Sequence, residues 1–112
     1  MIKKEKQRYI LFRIITEPDN KLIILSKRGF IDILWNVIWN YFGMNTANKI
    51  GLWLLKLDWK KRYGIIRCSH ITKEIMISAL SLINEINSER IIITPIKTSG
   101  SFNKIKNLAD NF

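Results

Sequence analysis

The sequence predicts an α+β domain: a ferredoxin-like two-layer sandwich of β-α-β-β-α-β order, with an antiparallel sheet and an extra helix at the C-terminus. Three observations carry this. Apolar spacing switches along the chain between a strand-like alternation and a helical recurrence at three and four, in the order strand, helix, strand, strand, helix, strand, helix. Turn formers such as Pro18-Asp19-Asn20 and Thr98-Ser99-Gly100-Ser101 fall where the period changes. The length, 112 residues, 47% of them hydrophobic, suits one core and leaves no room for a second domain. Residues 1–112 are therefore read as a single domain whose first residues, 1–7, form a basic arm.

The first strand is expected over Arg8 to Thr16, where Ile10, Phe12 and Ile14 alternate with Tyr9, Leu11 and Arg13. After the Pro18-Asp19-Asn20 break, helical spacing starts at Ser26 and recurs through Ile31, Leu34 or Trp35, Ile38 and Phe42. Gly43 stands where a C-terminal cap belongs, and Met44 to Gly51 reads as a loop. Leu52 to Asp58 and Tyr63 to Cys68 are two β-type runs joined by Trp59-Lys60-Lys61-Arg62, the pattern of a hairpin with a basic tip. Ile71 to Ile86 places Ile75, Ala79, Leu82 or Ile83 and Ile86 on one stripe, with Ser69 or Thr72 as N-cap. Arg90 to Lys97 is a β-branched strand whose Pro95 suits an edge position or a strand end. A short basic helix then follows the Thr98–Ser101 loop through Asn111.

This order is shared by ferredoxin-like and RNA-recognition folds, in which both long helices cover one sheet face and leave the other open. With Ile10, Phe12, Ile14, Ile66 and Cys68 toward the helices, alternation puts Tyr9, Arg13 and Arg67 on the open face, where Lys56 joins them. Helix one is apolar around most of its circumference, more than one sheet can bury. Trp35, Trp39 and Phe42 are therefore candidates for a protein partner, against the plainer reading that the neighbouring helix and loop cover them.

Lys and Arg number 19 against 9 Asp and Glu, a formal charge of +10, which points to a polyanionic partner. No apolar run reaches the roughly 20 residues needed to span a bilayer, and no cleavable signal follows the basic start, so a cytoplasmic protein without membrane attachment is expected. Cys68 and His70 are each the sole residue of their type, which leaves no intrachain disulfide, Cys-based metal cluster or Ser-His-acid constellation. Lys3, Lys4, Lys6 and Arg8 read either as an arm along phosphates or as a solvated tail. The Thr98–Ser101 loop with Lys104 and Lys106 reads either as a phosphate site at a helix N-terminus or as a plain helix cap.

Three motifs in series, Arg8-Tyr9-Ile10-Leu11-Phe12-Arg13-Ile14-Ile15, Tyr63-Gly64-Ile65-Ile66-Arg67-Cys68 and Thr98-Ser99-Gly100-Ser101, give the chain a family resemblance from about residue 6 to 107. It resembles the ribonuclease P protein component 2 family, the archaeal counterpart of the eukaryotic Pop-five protein. The resemblance implies a non-catalytic subunit of the endoribonuclease that removes 5′ leaders from precursor tRNA, the chemistry belonging to the RNA subunit and its Mg²⁺, with no cofactor on the protein. Implied partners are ribonuclease P RNA, precursor tRNA, the TIM-barrel-like component 3 and other ribonuclease P proteins, with a homodimer inside a heterotetramer as a further option. Carried onto this sequence, the implied RNA contacts are Arg8, Arg13, Arg67, Ser99, Gly100, Ser101 and Lys104. Charge alone adds Lys4, Lys6 and Lys106. The chain departs from the family at Leu108-Ala109-Asp110-Asn111-Phe112, which is neutral to acidic where a basic run is expected. Two other readings stay open from the residues: a general RNA-recognition module with aromatic platforms on its sheet, and a protein-assembly module.

Overall fold

A computed structural model describes residues 6–17 and 26–112. Strands β1 (Gln7–Thr16), β2 (Trp53–Asp58), β3 (Tyr63–Ser69), β4 (Glu85–Ile86) and β5 (Glu89–Ser99) form one sheet in the order β2-β3-β1-β5-β4. Every pairing is antiparallel. Helices α1 (Lys27–Lys49) and α2 (Lys73–Leu82) lie between the strands in sequence, and α3 (Phe102–Ala109) ends the chain. The expected α+β architecture is therefore present, with β4 as an added short strand.

Alternation sets the two faces. Ile10, Phe12, Ile14, Leu54, Ile66, Cys68, Ile91 and Ile93 join Phe30, Leu34 and Ile38 of α1 and Met76, Ala79 and Leu80 of α2 in the main core. Phe12 stacks on Phe30 with centroids 5.7 Å apart and planes 6° from parallel. Its cross-strand partner is Gly64. A Cβ on Gly64 would stand 2.3 Å from Phe12 Cζ, so only hydrogen leaves room for the ring.

Ser26 caps α1 as expected, its hydroxyl accepting from the Gly29 N–H at 3.1 Å. Gly43 does break the helix, at φ 83° and ψ 174°, yet helical turns resume beyond it to Lys49, where a loop was expected. The second helix is shorter than its stripe predicts. A single 3-10 turn, His70–Thr72, precedes α2, which stops at Leu82 because Ile83 is already extended. Ile83 and Ile86 are buried all the same, so their apolar spacing continues the stripe without continuing the helix. Asn87 and Ser88, at φ 53° and 67°, turn β4 into β5 in the primed-turn sense. Neither proposed cap bonds the α2 backbone. Ser69 and Thr72 instead share a buried hydroxyl contact of 2.6 Å.

Pro95 lies inside β5, opposite Phe12, beside a bulge that makes Lys97 the partner of Leu11. Its outer side has no strand beyond Arg90, so an edge position is what it occupies. Among the described residues no helix is long and apolar enough to cross a membrane.

The open sheet face is corrected by α3. Ile105 and Ala109 are buried against Leu11, Tyr63 and Ile65 in a second core. Phe102 packs on Tyr9 at 5.5 Å and Phe112 on Tyr63 at 5.3 Å. The physical reason is the strong amphipathicity of the helix: Phe102, Ile105 and Ala109 recur at three and four and need a cover, which the exposed half of the sheet supplies.

Candidate nucleic-acid interface

Antiparallel register brings the start of β1, the end of β3 and the end of β5 to one end of the sheet. Gln7 pairs with Ser69, Arg8 with Cys68, and Tyr9 with Arg67 on one side and Ser99 on the other. The Lys6 carbonyl accepts from the His70 N–H at 2.7 Å, which fixes the 3-10 turn beside the arm. Arg8 lies next to Gly100, where a Cβ would meet Arg8 Nη1 at 3.1 Å, and it donates to the Gln7 carbonyl at 2.8 Å. Three segments distant in sequence thus place Lys6, Arg8, Arg67, His70, Lys73, the Ser99–Ser101 loop and the first turn of α3 around one end of the domain.

The loop is more self-contained than the sequence suggests. Ser99 Oγ accepts from the Ser101 N–H at 3.0 Å, and Ser101 Oγ caps α3 by accepting from the Lys104 N–H. Two of the N–H groups expected to cradle an anion are therefore already held. The attraction left to this corner comes from the Arg8 guanidinium, Lys104 and the positive end of the α3 dipole.

The other candidates divide. Arg67 belongs to this end, its guanidinium 5.9 Å from the centre of the Trp53 ring. Arg13 does not: it sits further along β1, engaged over the Phe112 ring at 4.8 Å. Lys104 and Lys106 flank the buried Ile105 and so splay to either side of α3, both exposed. Lys4 lies outside the described residues. On α1, Trp35 and Phe42 are half-buried against the main core, whereas Trp39 is 47% exposed together with Tyr41 and Met44. Of the three partner candidates, Trp39 is the one that the described residues leave most exposed.

His70, which the sequence offered only as a lone histidine without a catalytic constellation, and Lys73, which it did not single out, are further functional candidates. Nothing in their local motif marks them; their signal is the β1–β3 register, which sets them beside Lys6 and Arg8. The electrostatics record this crowding. The His70 pKa is held below its ordinary value, first by the Arg8 charge, then by desolvation and by Lys73 and Lys6. Cys68, buried under the same residues, has its thiol pushed up to about 11 by desolvation, which outweighs the opposite pull of Arg8 and Lys73. It is a packed thiol and not a nucleophile. No group of three or more His, Cys, Asp or Glu able to hold a metal occurs among the described residues.

Residues 8–109 match the model of the Rpp14/Pop5 family. The chain belongs to this family. The family resemblance drawn from the three sequence motifs covers nearly the same span. Relatives include the protein named ribonuclease P protein component 2 of Pyrococcus horikoshii, 30% identical over 103 residues that make up 92% of this chain and 82% of that one. The protein of the same name in Methanococcus maripaludis strain C6 is 33% identical over 109 residues, 97% of this chain and 76% of the relative. A chain of the yeast ribonuclease MRP cryo-EM structure shares the fold, with a TM-score of 0.69 over 99% of this chain and 94% of that one, at 14% identity. The three sequence motifs on which the resemblance was drawn meet in the structure. The first two pair as β1 and β3, and the third closes the basic end beside Arg8.

Proposed function

We propose that this Rpp14/Pop5 chain is a protein subunit of ribonuclease P, the ribonucleoprotein that removes 5′ leaders from precursor tRNA. It neutralises phosphates of the catalytic RNA and stabilises the RNA's active conformation. The observation that carries the reading is the register-built cluster of Lys6, Arg8, Arg67, Lys73 and Lys104 at one end of the sheet, in a chain whose relatives bear the ribonuclease P name. The phosphodiester chemistry is assigned to the RNA subunit and the Mg²⁺ it binds. The protein contributes charge and shape, and no cofactor is assigned to it.

Binding at five such cations predicts a steep salt dependence, with log K falling by roughly 0.9 for each phosphate neutralised per decade of salt. The exposed Trp39 of α1 supports a second, protein-facing surface, for which the partner is the TIM-barrel-like component 3, alone or in a heterotetramer joined by a homodimer of this chain. A cytoplasmic site of action goes with this reading. A general RNA-recognition module reading bases across its sheet is disfavoured, because Phe102 and Phe112 of α3 occupy Tyr9 and Tyr63.

The test is reconstitution. The chain alone should not cleave precursor tRNA, and its addition to ribonuclease P RNA and component 3 at limiting Mg²⁺ should raise cleavage of the leader. Equal rates with and without the chain would overturn the proposal.

A further inference from the structure

We propose that Trp53 and Arg67 form a stacking site for an unpaired RNA base, placed where β2 borders the basic end of the sheet. The inference rests on the reading that this end meets RNA. On the α3 side of the sheet one cross-strand row runs Trp53, Arg67, Tyr9, Ser99. Tyr9 in that row is covered by Phe102. Trp53 is not covered by α3: it lies two strands away from Tyr9, on the outermost strand, and is 59% exposed. A large indole so exposed on a strand costs solvation without adding to the core, so a role outside the monomer accounts for it better than folding does.

Arg67 supplies the second observation. Its Nε is buried and has no hydrogen-bond acceptor among the described residues, while the guanidinium is steered toward the Trp53 ring. That Nε is closed to a ligand, so the terminal N–H groups of the half-buried guanidinium are the ones that can meet an oxygen brought from outside. The site therefore offers a mostly exposed indole and, beside it, a cationic guanidinium. A nucleotide answers both at once, the base on the indole and a phosphate or base oxygen on the guanidinium. Lys56, exposed and paired with Ile65 in the register of the same face, adds a further positive charge. From there the row leads to Ser99 and the Arg8–Gly100 corner, about three strand spacings or roughly 14 Å away, so an RNA strand seated on Trp53 can run onto the phosphate-binding end. A protein occupant would have to bring acidic groups into the row to the same effect, and the surrounding positive charge serves any polyanion better.

The experiment measures affinity of the full chain for a single-stranded 12-mer of adenosine and for a 12-base-pair RNA duplex, in the parent and in the variants Trp53→Leu and Trp53→Phe. Circular dichroism melts establish that each variant is folded, which the exposure of Trp53 makes the expected result. Trp53→Leu should weaken binding of the single strand about 5- to 150-fold, the equivalent of roughly 1–3 kcal/mol for one stacked base. Duplex binding should change less than twofold, and Trp53→Phe should retain most single-strand affinity. Equal loss on both RNAs, or no loss on either, would overturn the stacking site while leaving the proposed function standing. So would a Trp53→Leu defect confined to association with a ribonuclease P protein. Failure of the parent chain to bind either RNA would overturn both readings.

Discussion

Replacing Gly64 by Ala should destabilise the domain, and the size of the effect follows from the Phe12 ring. Phe12 is wholly buried, stacked on Phe30, which in turn meets the edge of Trp59 at 6.4 Å. An alanine Cβ at position 64 would lie 2.3, 2.8 and 2.9 Å from Cζ, Cε2 and Cε1 of that ring, about 1 Å inside normal contact. The ring cannot simply turn aside, because its far face is already taken by Phe30. Overpacking of this kind costs about 1–3 kcal/mol. Loss of glycine's freedom in the unfolded chain returns about 0.4–1 kcal/mol. The net expectation is a destabilisation of about 1–2 kcal/mol, or a fall in Tm of roughly 4–8 °C for a domain of this size. The assay is thermal and urea unfolding of four proteins: parent, Gly64→Ala, Phe12→Leu and the double variant. Leu at position 12 vacates the space that the new methyl needs, so the double variant should be more stable than the sum of the single effects predicts, by about 0.5–2 kcal/mol. A Gly64→Ala variant within about 0.5 kcal/mol of the parent, or strictly additive effects, would refute the claim that the bare backbone at 64 exists for the Phe12 ring.

Binding of RNA should strengthen as pH falls from 7.5 to 5.5, because the lowered pKa keeps His70 neutral in the free protein and approaching phosphates raise it, so that proton uptake accompanies binding. The same depression means that the unfolded chain takes the proton first, so His70 contributes stability at neutral pH that is lost as pH falls through the ordinary histidine range; a His70→Asn variant with an unaltered pH profile for both properties would contradict this. Cys68 should resist a thiol reagent at pH 8 in the native protein and react at once in urea, since burial holds its pKa near 11; rapid native reaction would show that the β3 end opens. Arg8→Ala and Lys104→Ala should each weaken RNA binding by about 0.5–2 kcal/mol and make the salt dependence shallower, whereas Arg13→Ala, whose guanidinium rests on Phe112, should change affinity less than threefold. Titrations at several salt concentrations decide between them, and a larger loss for Arg13 than for Arg8 would move the interface onto α3.

Much of this fold was legible because its elements obey local rules. Ser26 caps α1 with its own hydroxyl, and the Trp59–Arg62 connection closes β2 onto β3 with Asp58 accepting from the Lys61 N–H. Where reading failed, local and tertiary causes coincide. The stripe through Ile83 and Ile86 is a true burial pattern, yet it reports the core and not the helix. Asn87-Ser88 makes a turn that usually announces itself with glycine. Of the candidate site, Arg8 and Ser99–Ser101 were readable as separate basic or phosphate-like motifs. Their meeting was not, because it is set by β1–β5 register over about ninety residues of sequence. His70 and Lys73 entered the cluster through a backbone bond to Lys6, for which no side-chain motif exists.

The docking of α3 decides how such a domain can use its charge. To free the sheet for bases, the chain would have to expose Ile105 and Ala109 together with Leu11, Tyr63 and Ile65, all buried by that contact. Burying a large apolar side chain stabilises by about 1.5–3 kcal/mol, so undocking costs several kcal/mol. A single stacked base returns only about 1–3 kcal/mol. The helix therefore stays down, and the RNA surface we propose lies at the end and outer edge of the sheet, with phosphates around Arg8 and Lys104 and a base at Trp53, which α3 leaves uncovered. Contacts of that kind fix the position of a structured RNA more than they read its sequence, which is what a subunit supporting a catalytic RNA requires.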